Sequence, residues 1–261
     1  MDDITEWFLG IPSVIVALSG GVDSALVAYA AHNCPDTKAM AVTADYMTLA
    51  ADELQSAKDV AEQIGIKHQI IRYSELNDER FTRNGQDRCY HCRTQMGRRL
   101  QVLSRRLGYD VIVDGTNADD ISDYRPGMRA TAEYDIRSPL LELGMKKPQI
   151  RAQALRVGLD VYDRPSNSCL ASRIPWGRRI TAQMLARIEV AEKYVRGIAP
   201  TGPVRVRDMG GTARIEVSKD YIRQIHKSMG SLNKSLRLLG FNNIMVQEYV
   251  MGGANTNDIH G

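Results

Sequence analysis

The amino-acid sequence predicts an α/β domain built on a parallel sheet, followed by a small α+β domain. The first prediction depends on short apolar runs, typical of buried strands, that alternate with amphipathic helices. The second depends on a change of order after Pro175-Trp-Gly177, where helix, hairpin, helix and strand follow one another. The chain has 261 residues, enough for one medium and one small domain. We expect the domains at residues 1–177 and 178–261.

Near the start of the first domain, an apolar run ends at Leu18, and a glycine-rich loop follows directly. A helical segment, Ala25 to Ala31, follows directly, so the order is strand, tight turn and helix. Gly65 and Gly108 mark the ends of two later helices. The predicted strands are 14–18, 38–43, 66–73 and 110–114, and the later helices are 54–64 and 90–107.

The second domain begins with a helix that Thr181 is predicted to cap, with Met184 and Ile188 on its apolar face. A hairpin, a second helix and a last strand then form an α-β-β-α-β unit. The predicted elements are strands 204–207, 213–217 and 244–250, a turn at Gly210-Gly211, and a helix over 221–239.

The loop Ser19-Gly20-Gly21-Val22-Asp23-Ser24 is the most informative motif of the chain. Its adjacent glycines let the backbone approach a ligand closely, and the following helix directs unpaired N–H groups at the loop. Such a loop binds phosphate, whereas the alternative is a plain turn. It differs from the common P-loop because no Gly-Lys-Ser/Thr follows. Gly115-Thr116-Asn117 follows another strand, at the same carboxyl edge of the sheet.

Three of the four cysteines are candidates for chemistry. Cys89 and Cys92 are separated by two residues, so both thiolates can bind one metal ion. This spacing is compatible with two buried or redox-active cysteines, with a zinc site completed by His91 or Cys169, or with a four-iron cluster held by three cysteines. Cys169 lies in a turn rich in Ser and Asn, and Arg173 four residues later favours its thiolate.

Two arginines on one strand are candidates for binding an anion. Arg205 and Arg207 alternate with valines, so they project from the same strand face. Two adjacent guanidiniums suit a phosphate or a dicarboxylate, and the alternative is a pair of solvated arginines.

Composition excludes several classes of function. No apolar run is long enough for a transmembrane helix, and the start of the chain lacks a signal-peptide pattern. A net charge of +3 is too small to indicate a nucleic-acid partner, and four cysteines do not form a disulfide framework. We therefore expect a cytoplasmic protein without membrane or nucleic-acid partners.

The loop resembles the pyrophosphatase loop of the ATP pyrophosphatase (PP-loop) families, which implies a Rossmann-like PP-loop domain and adenylation with release of pyrophosphate. Further motifs are similar to those of the LarE family of ATP-dependent sacrificial sulfur transferases. These motifs are Asp114-Gly-Thr-Asn-Ala-Asp-Asp120, Asp123-Tyr-Arg-Pro-Gly127, Arg137-Ser-Pro-Leu140, Arg164-Pro165, Cys169-Leu-Ala-Ser-Arg-Ile-Pro175, Val204-Arg-Val-Arg207 and Ala213-Arg-Ile-Glu-Val217. The resemblance spans nearly the whole chain.

Membership of this family implies that the protein adenylates a carboxylate of pyridinium-3,5-biscarboxylic acid mononucleotide and converts it to a thiocarboxylate. The product is used to build a nickel-pincer nucleotide cofactor. Some members sacrifice the sulfur of one cysteine at the position of Cys169, whereas others hold a [4Fe-4S] cluster with three cysteines. Because this chain has Cys89 and Cys92 as well, the resemblance favours the cluster version, with a sulfide on the open iron as donor.

The resemblance also implies roles for individual residues. Arg173, Arg205 and Arg207 would bind the substrate, and Asp23 and Asp120 would contribute to a Mg²⁺ site. Family members often form homo-oligomers. The expected ATP-binding residues are Ala17, Ser19, Gly20, Gly21, Val22, Asp23, Ser24, Thr43, Gly115 and Thr116.

Two other enzyme classes remain open as alternatives. A PP-loop tRNA thiolase can also use three cysteines, but it should have a basic surface or an RNA-binding appendage. An amidating ligase such as NAD synthetase has no need of Cys169. A nucleotide-binding module without activity would release no pyrophosphate.

Overall fold

The computed structural model describes residues 3–122, 127–165 and 167–250. The chain forms two compact units. The first takes the described residues of Met1–Glu75 and Asp87–Arg164, and the second takes those of Leu76–Gln86 and Pro165–Gly261. The units divide after Arg164, and the segment 76–86, which precedes Cys89, belongs to the second unit. The expected domain boundary at residue 177 stays a prediction.

Helices and strands alternate through most of the chain. The strands are β1 (Ser13–Ala17), β2 (Lys38–Asp45), β3 (Lys67–Arg72), β4 (Val111–Val113), β5 (Ile136–Arg137), β6 (Val204–Asp208), β7 (Thr212–Val217) and β8 (Asn243–Glu248). The α-helices are α1 (Asp3–Glu6), α2 (Val22–Asn33), α3 (Ala51–Ile64), α4 (Glu79–Thr82), α5 (Arg88–Leu107), α6 (Gly127–Glu133), α7 (Pro139–Glu142), α8 (Lys147–Arg156), α9 (Ala182–Arg196), α10 (Lys219–Lys227) and α11 (Met229–Leu238). Short 3₁₀ turns cover Glu75–Asn77, Ala118–Ser122 and Leu170–Arg173.

The first unit contains a five-stranded sheet in the order β3-β2-β1-β4-β5, and every neighbouring pair of strands is parallel. This confirms the predicted α/β class. The central position of β1 follows from its composition, because a parallel strand covered on both faces is apolar throughout. Strand β5 was not predicted, since its two residues are too short to show a pattern.

Helices cover both faces of this sheet. Val14 and Val16 of β1 pack into one core with apolar residues of α2, α3 and α8. Ile15 points to the opposite face and packs into a second core with Leu100 and Leu103 of α5. The alternation of β1 therefore supplies two cores, and the strand ends between them at the glycine-rich loop.

The second unit contains a three-stranded sheet in which β6 and β7 are antiparallel and β7 and β8 are parallel. Thr181 caps α9 as predicted, because its side chain accepts a hydrogen bond from the N–H of Met184. Gly210 and Gly211 turn the hairpin with φ of 80° and 100°, values that favour glycine. The helix predicted over 221–239 is instead two helices, α10 and α11, which meet at Ser228. Apolar residues of α9, α10 and α11 pack on one face of this sheet.

The early segment of the second unit is attached to its later part by several polar contacts. The buried Asn84 amide donates to the carbonyl oxygens of Ile174 and Pro175, at 3.2 and 2.8 Å. The N–H of Ile180 donates to the carbonyl oxygen of Thr82 at 2.8 Å. Among the helices of the described ranges, none is long and apolar enough to cross a bilayer.

Candidate active site

The glycine-rich loop is pressed against α3. Gly20 has φ of 84°, and a Cβ added there would lie 2.7 Å from the carbonyl oxygen of Glu53 and 2.8 Å from the amide nitrogen of Ala57. The Ser56 hydroxyl donates to the carbonyl oxygen of Gly20 at 2.9 Å. Only glycine fits here, because both the space and the dihedral angle exclude a side chain.

Two hydroxyls hold the loop closed at the start of α2. The buried Ser24 hydroxyl accepts the N–H of Ser19 at 3.0 Å and donates to the carbonyl oxygen of Gly21 at 3.2 Å. The Ser19 hydroxyl lies 3.0 Å from that of Ser24 and belongs to an exposed residue. Val22 is buried in the core, so it anchors the helix. Ser24 therefore shapes the loop, and Ser19 is available to a ligand.

The loop after β4 meets the same helix start. A Cβ at Gly115 would lie 2.6 Å from the amide nitrogen of Ser24, so the two predicted loops are adjacent at the carboxyl edge of the sheet. The N–H and hydroxyl of Thr116 both donate to the carboxylate of Asp114, at 3.0 and 2.8 Å. Asp114 is 2 % exposed and also accepts from the Ser138 hydroxyl at 2.7 Å. Its carboxylate therefore organises this second loop.

Thr43 supports the loop from below. It is buried on β2, and its hydroxyl donates to the carbonyl oxygen of Leu18 at 2.8 Å. The same hydroxyl lies 2.8 Å from Nε2 of His68. Since the Thr43 proton is already donated to Leu18, the imidazole nitrogen must be the donor in that second contact. Burial lowers the pKa of His68, which favours the neutral ring.

Asp23, the second residue of α2, pairs with Lys147 at the start of α8, where Nζ contacts Oδ2. Its other oxygen, Oδ1, is buried and accepts no hydrogen bond from any described residue. Burial raises the pKa of Asp23 against the lowering effect of Lys147, and the nearby carboxylate of Asp120 raises it further. A carboxylate oxygen without a hydrogen-bond donor, beside a second carboxylate, is a suitable ligand for Mg²⁺, a cation that prefers oxygen ligands.

Cys89 and Cys92 lie three positions apart in the first turns of α5, so both project from one face of the helix. Cys89 is exposed and Cys92 is half-buried, and neither forms a disulfide. Cysteine thiolates are the ligands of iron–sulfur clusters, so this part of the chain has suitable donors. No three His, Cys, Asp or Glu side chains within the described ranges are arranged as a metal site.

A buried carboxyl group lies beside this cysteine pair. Glu75 is 0 % exposed and accepts the Thr48 hydroxyl at 2.7 Å. Burial raises the pKa of Glu75 to about 7, although Cys92, Thr48 and nearby arginines act in the opposite direction. The environment of Cys92 therefore includes a carboxyl group that is partly protonated near neutral pH.

Cys169 belongs to the second unit, where it precedes the 3₁₀ turn Leu170–Arg173. Arg173 is completely buried inside this turn, and its Nη1 donates to the carbonyl oxygens of Ser168 and Cys169 at 2.7 and 3.2 Å. Its Nε and Nη2 donate to the carboxylate of Glu192 at 2.8 and 3.3 Å. In this structure Arg173 therefore shapes the turn that carries Cys169.

The face of the second sheet that lies opposite its apolar core is cationic. Arg205, Arg207 and Arg214 are each at least nine-tenths buried there, and Glu216 is a carboxylate that Arg207 and Arg214 share. Nε of Arg207 donates to Oε1 of Glu216 at 2.7 Å. Nε of Arg214 lies 3.3 Å from the same oxygen without hydrogen-bond geometry, and Nη2 of Arg214 has no partner among the described residues. Burial lowers the pKa of Arg205 to about 10, and the neighbouring cation of Arg173 contributes. This excess of buried positive charge suits an anion.

Comparisons with known proteins agree with this geometry. A family model described as asparagine synthase matches residues 12–122, which include the glycine-rich loop. An uncharacterized protein of Synechocystis is 37% identical over 92% of this chain and 90% of its own length. The pyridinium-3,5-bisthiocarboxylic acid mononucleotide synthase of Lactiplantibacillus plantarum is 33% identical over 87% of this chain and 83% of its own length. The chain belongs to the LarE family. It is thus an ATP-dependent sulfurtransferase.

A more distant similarity joins this LarE-family chain to RNA-modifying enzymes. The tRNA-specific 2-thiouridylase of Rickettsia africae is 27% identical over 59% of this chain and 52% of its own length. One motif of the LarE resemblance, 123–127, lies outside the described residues except for Gly127. Residue 166, between two other motifs, is also outside them. Residues 251–261 are also outside them.

Several site residues of this LarE-family enzyme were missed by sequence reasoning. They are Lys147, Glu75, Glu192 and Arg214. No local sequence pattern indicates Lys147, because its partner Asp23 is 124 positions away. Arg214 could have been found from the predicted hairpin, because strand pairing places it directly opposite Arg207.

Proposed function

We propose that this LarE-family enzyme converts a carboxylate of pyridinium-3,5-biscarboxylic acid mononucleotide into a thiocarboxylate, for a nickel-pincer nucleotide cofactor. The observation that supports this substrate is the buried cationic face of Arg205, Arg207 and Arg214. A substrate with a phosphate and two carboxylates supplies the negative charge that this face needs. The Lactiplantibacillus relative is named as the synthase of a bisthiocarboxylic acid mononucleotide, a product of the same chemical class.

The first step activates the carboxylate. One carboxylate oxygen attacks the α-phosphorus of ATP, pyrophosphate leaves, and an acyl-adenylate forms. The backbone N–H groups of the loop and the exposed Ser19 hydroxyl would bind the leaving pyrophosphate at the start of α2. Asp23 and Asp120 would hold a Mg²⁺ ion, which when bound neutralises phosphate charge.

The second step replaces the activated oxygen with sulfur. A sulfur nucleophile attacks the carbonyl carbon, the bond to the AMP oxygen breaks, and the electron pair leaves with AMP. We propose that Cys89, Cys92 and Cys169 would hold a [4Fe-4S] cluster, which when bound would carry sulfide from a donor as the nucleophilic sulfur. The two thiols of α5 support this version, since a single sacrificed cysteine needs neither of them.

The sacrificial version makes a different covalent prediction. The Cys169 thiolate would attack the adenylate and form a thioester as AMP leaves. A base would then remove the Cα proton of residue 169, and the Cβ–Sγ bond would break. Thiocarboxylate would leave, and the protein would lose the elements of H₂S at residue 169. Mass spectrometry of the protein after turnover distinguishes the two versions.

The test is an anaerobic assay with ATP, the pyridinium dicarboxylate mononucleotide and sulfide. We expect pyrophosphate release that depends on this substrate, formation of thiocarboxylate, and several turnovers per chain. Thiolation of tRNA without reaction of the pyridinium compound would contradict the proposal and favour the thiouridylase activity. Amidation with ammonia, retained in Cys169→Ala, would favour a ligase instead.

The cluster has its own test, which uses matched cysteine variants. Cys89→Ala should lose bound iron and sulfide, whereas Cys34→Ala should keep both, because Cys34 is buried in the core of the first unit. Full turnover by iron-free protein would exclude the cluster and leave the adenylation step intact.

A further inference from the structure

The ammonium group of Lys147 contacts one oxygen of Asp23, the carboxylate proposed above as a Mg²⁺ ligand. Lys147 Nζ contacts Oδ2 of Asp23, and both residues lie in the first unit. The two residues are the first of α8 and the second of α2. The contact therefore joins the starts of two helices, where phosphates bind.

Packing holds the two helix starts together. Ile150 and Ala154 of α8 are completely buried in the core that also contains α2. The backbone N–H of Lys147 donates to a carboxylate oxygen of Asp119 at 2.8 Å, which fixes the first turn of α8. The main chain of Lys147 is thus fixed, while its side chain is 28 % exposed and has a flexible four-carbon stem. The ammonium can move without a change in the fold.

The environment of Asp23 contains competing charges. Its Oδ1 is buried without a hydrogen-bond partner in the described chain, and Asp120 adds negative charge nearby. Lys147 and, one helical turn later, Arg151 supply positive charge. A divalent cation on Asp23 would repel an ammonium on the same carboxylate, so the two cannot both bind there at full strength.

We propose that Lys147 is a counter-ion of Asp23 that prevents Mg²⁺ without nucleotide from binding this carboxylate. When the metal–nucleotide complex binds, the Lys147 ammonium moves from Asp23 to an ATP phosphate. The metal role of Asp23 rests on the proposed function. The incoming phosphates supply the negative charge that Lys147 loses when it leaves Asp23. Lys147 is then a phosphate-binding residue of the adenylation step, and the loop binds metal together with ATP instead of alone.

The experiment measures Mn²⁺ binding to the nucleotide-free protein by electron paramagnetic resonance, with Lys147→Gln and the control Lys146→Gln. Both changes remove one lysine charge from the start of α8, but Lys146 is exposed, and the lysine that pairs with Asp23 is Lys147. Glutamine at 147 can still donate a hydrogen bond to Asp23. We expect Mn²⁺ to bind Lys147→Gln about tenfold more tightly than wild type, and Lys146→Gln to match wild type.

Adding Asp23→Asn to Lys147→Gln should remove this gain. Equal Mn²⁺ affinity in wild type and Lys147→Gln would overturn the proposal, as would a gain that survives Asp23→Asn. If Lys147→Gln does not fold by circular dichroism, Lys147→Met is measured in the same way. Pyrophosphate release gives the second readout: kcat should fall in Lys147→Gln and persist in Lys146→Gln. Because Mn²⁺ binding is measured without ATP or substrate, a wrong substrate assignment leaves this result unchanged.

Discussion

Arg207 lies directly opposite Arg214 across the β6–β7 ladder, and both guanidiniums are buried. Like charges in such a pair repel each other, and here a single carboxylate oxygen of Glu216 lies close to both cations. The pair is therefore expected to depend on Glu216 for its stability. This relationship leads to the first prediction.

Glu216→Gln should lower the free energy of unfolding by about 3 kcal/mol, because two buried guanidiniums lose their counter-charge. Urea denaturation measures the change. Glu248→Gln, an exposed site on β8, is the control and should change stability by less than about 0.5 kcal/mol. Added inorganic phosphate should restore part of the loss in Glu216→Gln; a variant as stable as wild type would show that the face needs no counter-charge.

Glu75 should make the protein less stable as pH rises. Its ordinary pKa is 4.5 and burial raises it to about 7, so the folded state binds the proton more tightly than the unfolded state. The stabilising contribution is complete below about pH 4.5 and is lost as pH rises through about 7. Relative to wild type, Glu75→Gln should gain up to about 3 kcal/mol on going from pH 4.5 to pH 8. Urea unfolding of metal-free, reduced protein at both pH values checks this; parallel profiles would contradict it.

Gly20→Ala should weaken ATP binding strongly and destabilise the first unit by about 1–3 kcal/mol. The added methyl group would meet the backbone of α3, and φ is positive as well. Gly144→Ala separates the two effects, because Gly144 has φ of 65° but nothing within 4 Å of a Cβ. That control should cost about 1 kcal/mol and leave ATP binding unchanged. Calorimetry with a non-hydrolysable ATP analogue measures both variants, and equal losses would refute the steric explanation.

Asp114→Asn should destabilise the protein by about 2–4 kcal/mol and weaken nucleotide binding. Thr116 and Ser138 donate hydrogen bonds to both oxygens of the Asp114 carboxylate. Asparagine has only one acceptor oxygen, so at least one of these hydrogen bonds is lost. Asp59→Asn on the exposed side of α3 provides the matched control. Denaturation curves of the two variants should differ clearly; overlapping curves would mean that Asp114 does not organise the loop.

The parts predicted well from sequence are those that local pattern determines. The strand–loop–helix order around Gly20 and the cap at Thr181 are confirmed, because periodicity and capping act over a few residues. The helix over 221–239 was predicted as one, although Ser228 has non-helical dihedral angles and the nearby Gly230 lowers helix propensity. Apolar periodicity continues through that junction, so it gave no sign of the break.

Pairings between distant residues could not be predicted from such patterns. Arg173 was expected to bind substrate, whereas the structure shows its guanidinium bonded to Glu192 and to the turn around it. The interaction of Lys147 with Asp23 depends on how α8 packs against α2, which no local pattern encodes. Substrate binding by Arg173, Arg205 and Arg207, the cluster and the oligomeric state stay predictions.

The segment 76–86 has a consequence for how the chain acquires its shape during synthesis. This segment leaves the ribosome before the rest of the second unit exists, and the carbonyl partners of Asn84 belong to residues about ninety positions later. It must wait for those residues, while the strands β1 to β3 already have one another as neighbours. The chain crosses between the two units three times, so no single cut separates them. A fragment that begins at Pro165 would lack segment 76–86, and with it the hydrogen bonds that Asn84 donates inside the second unit.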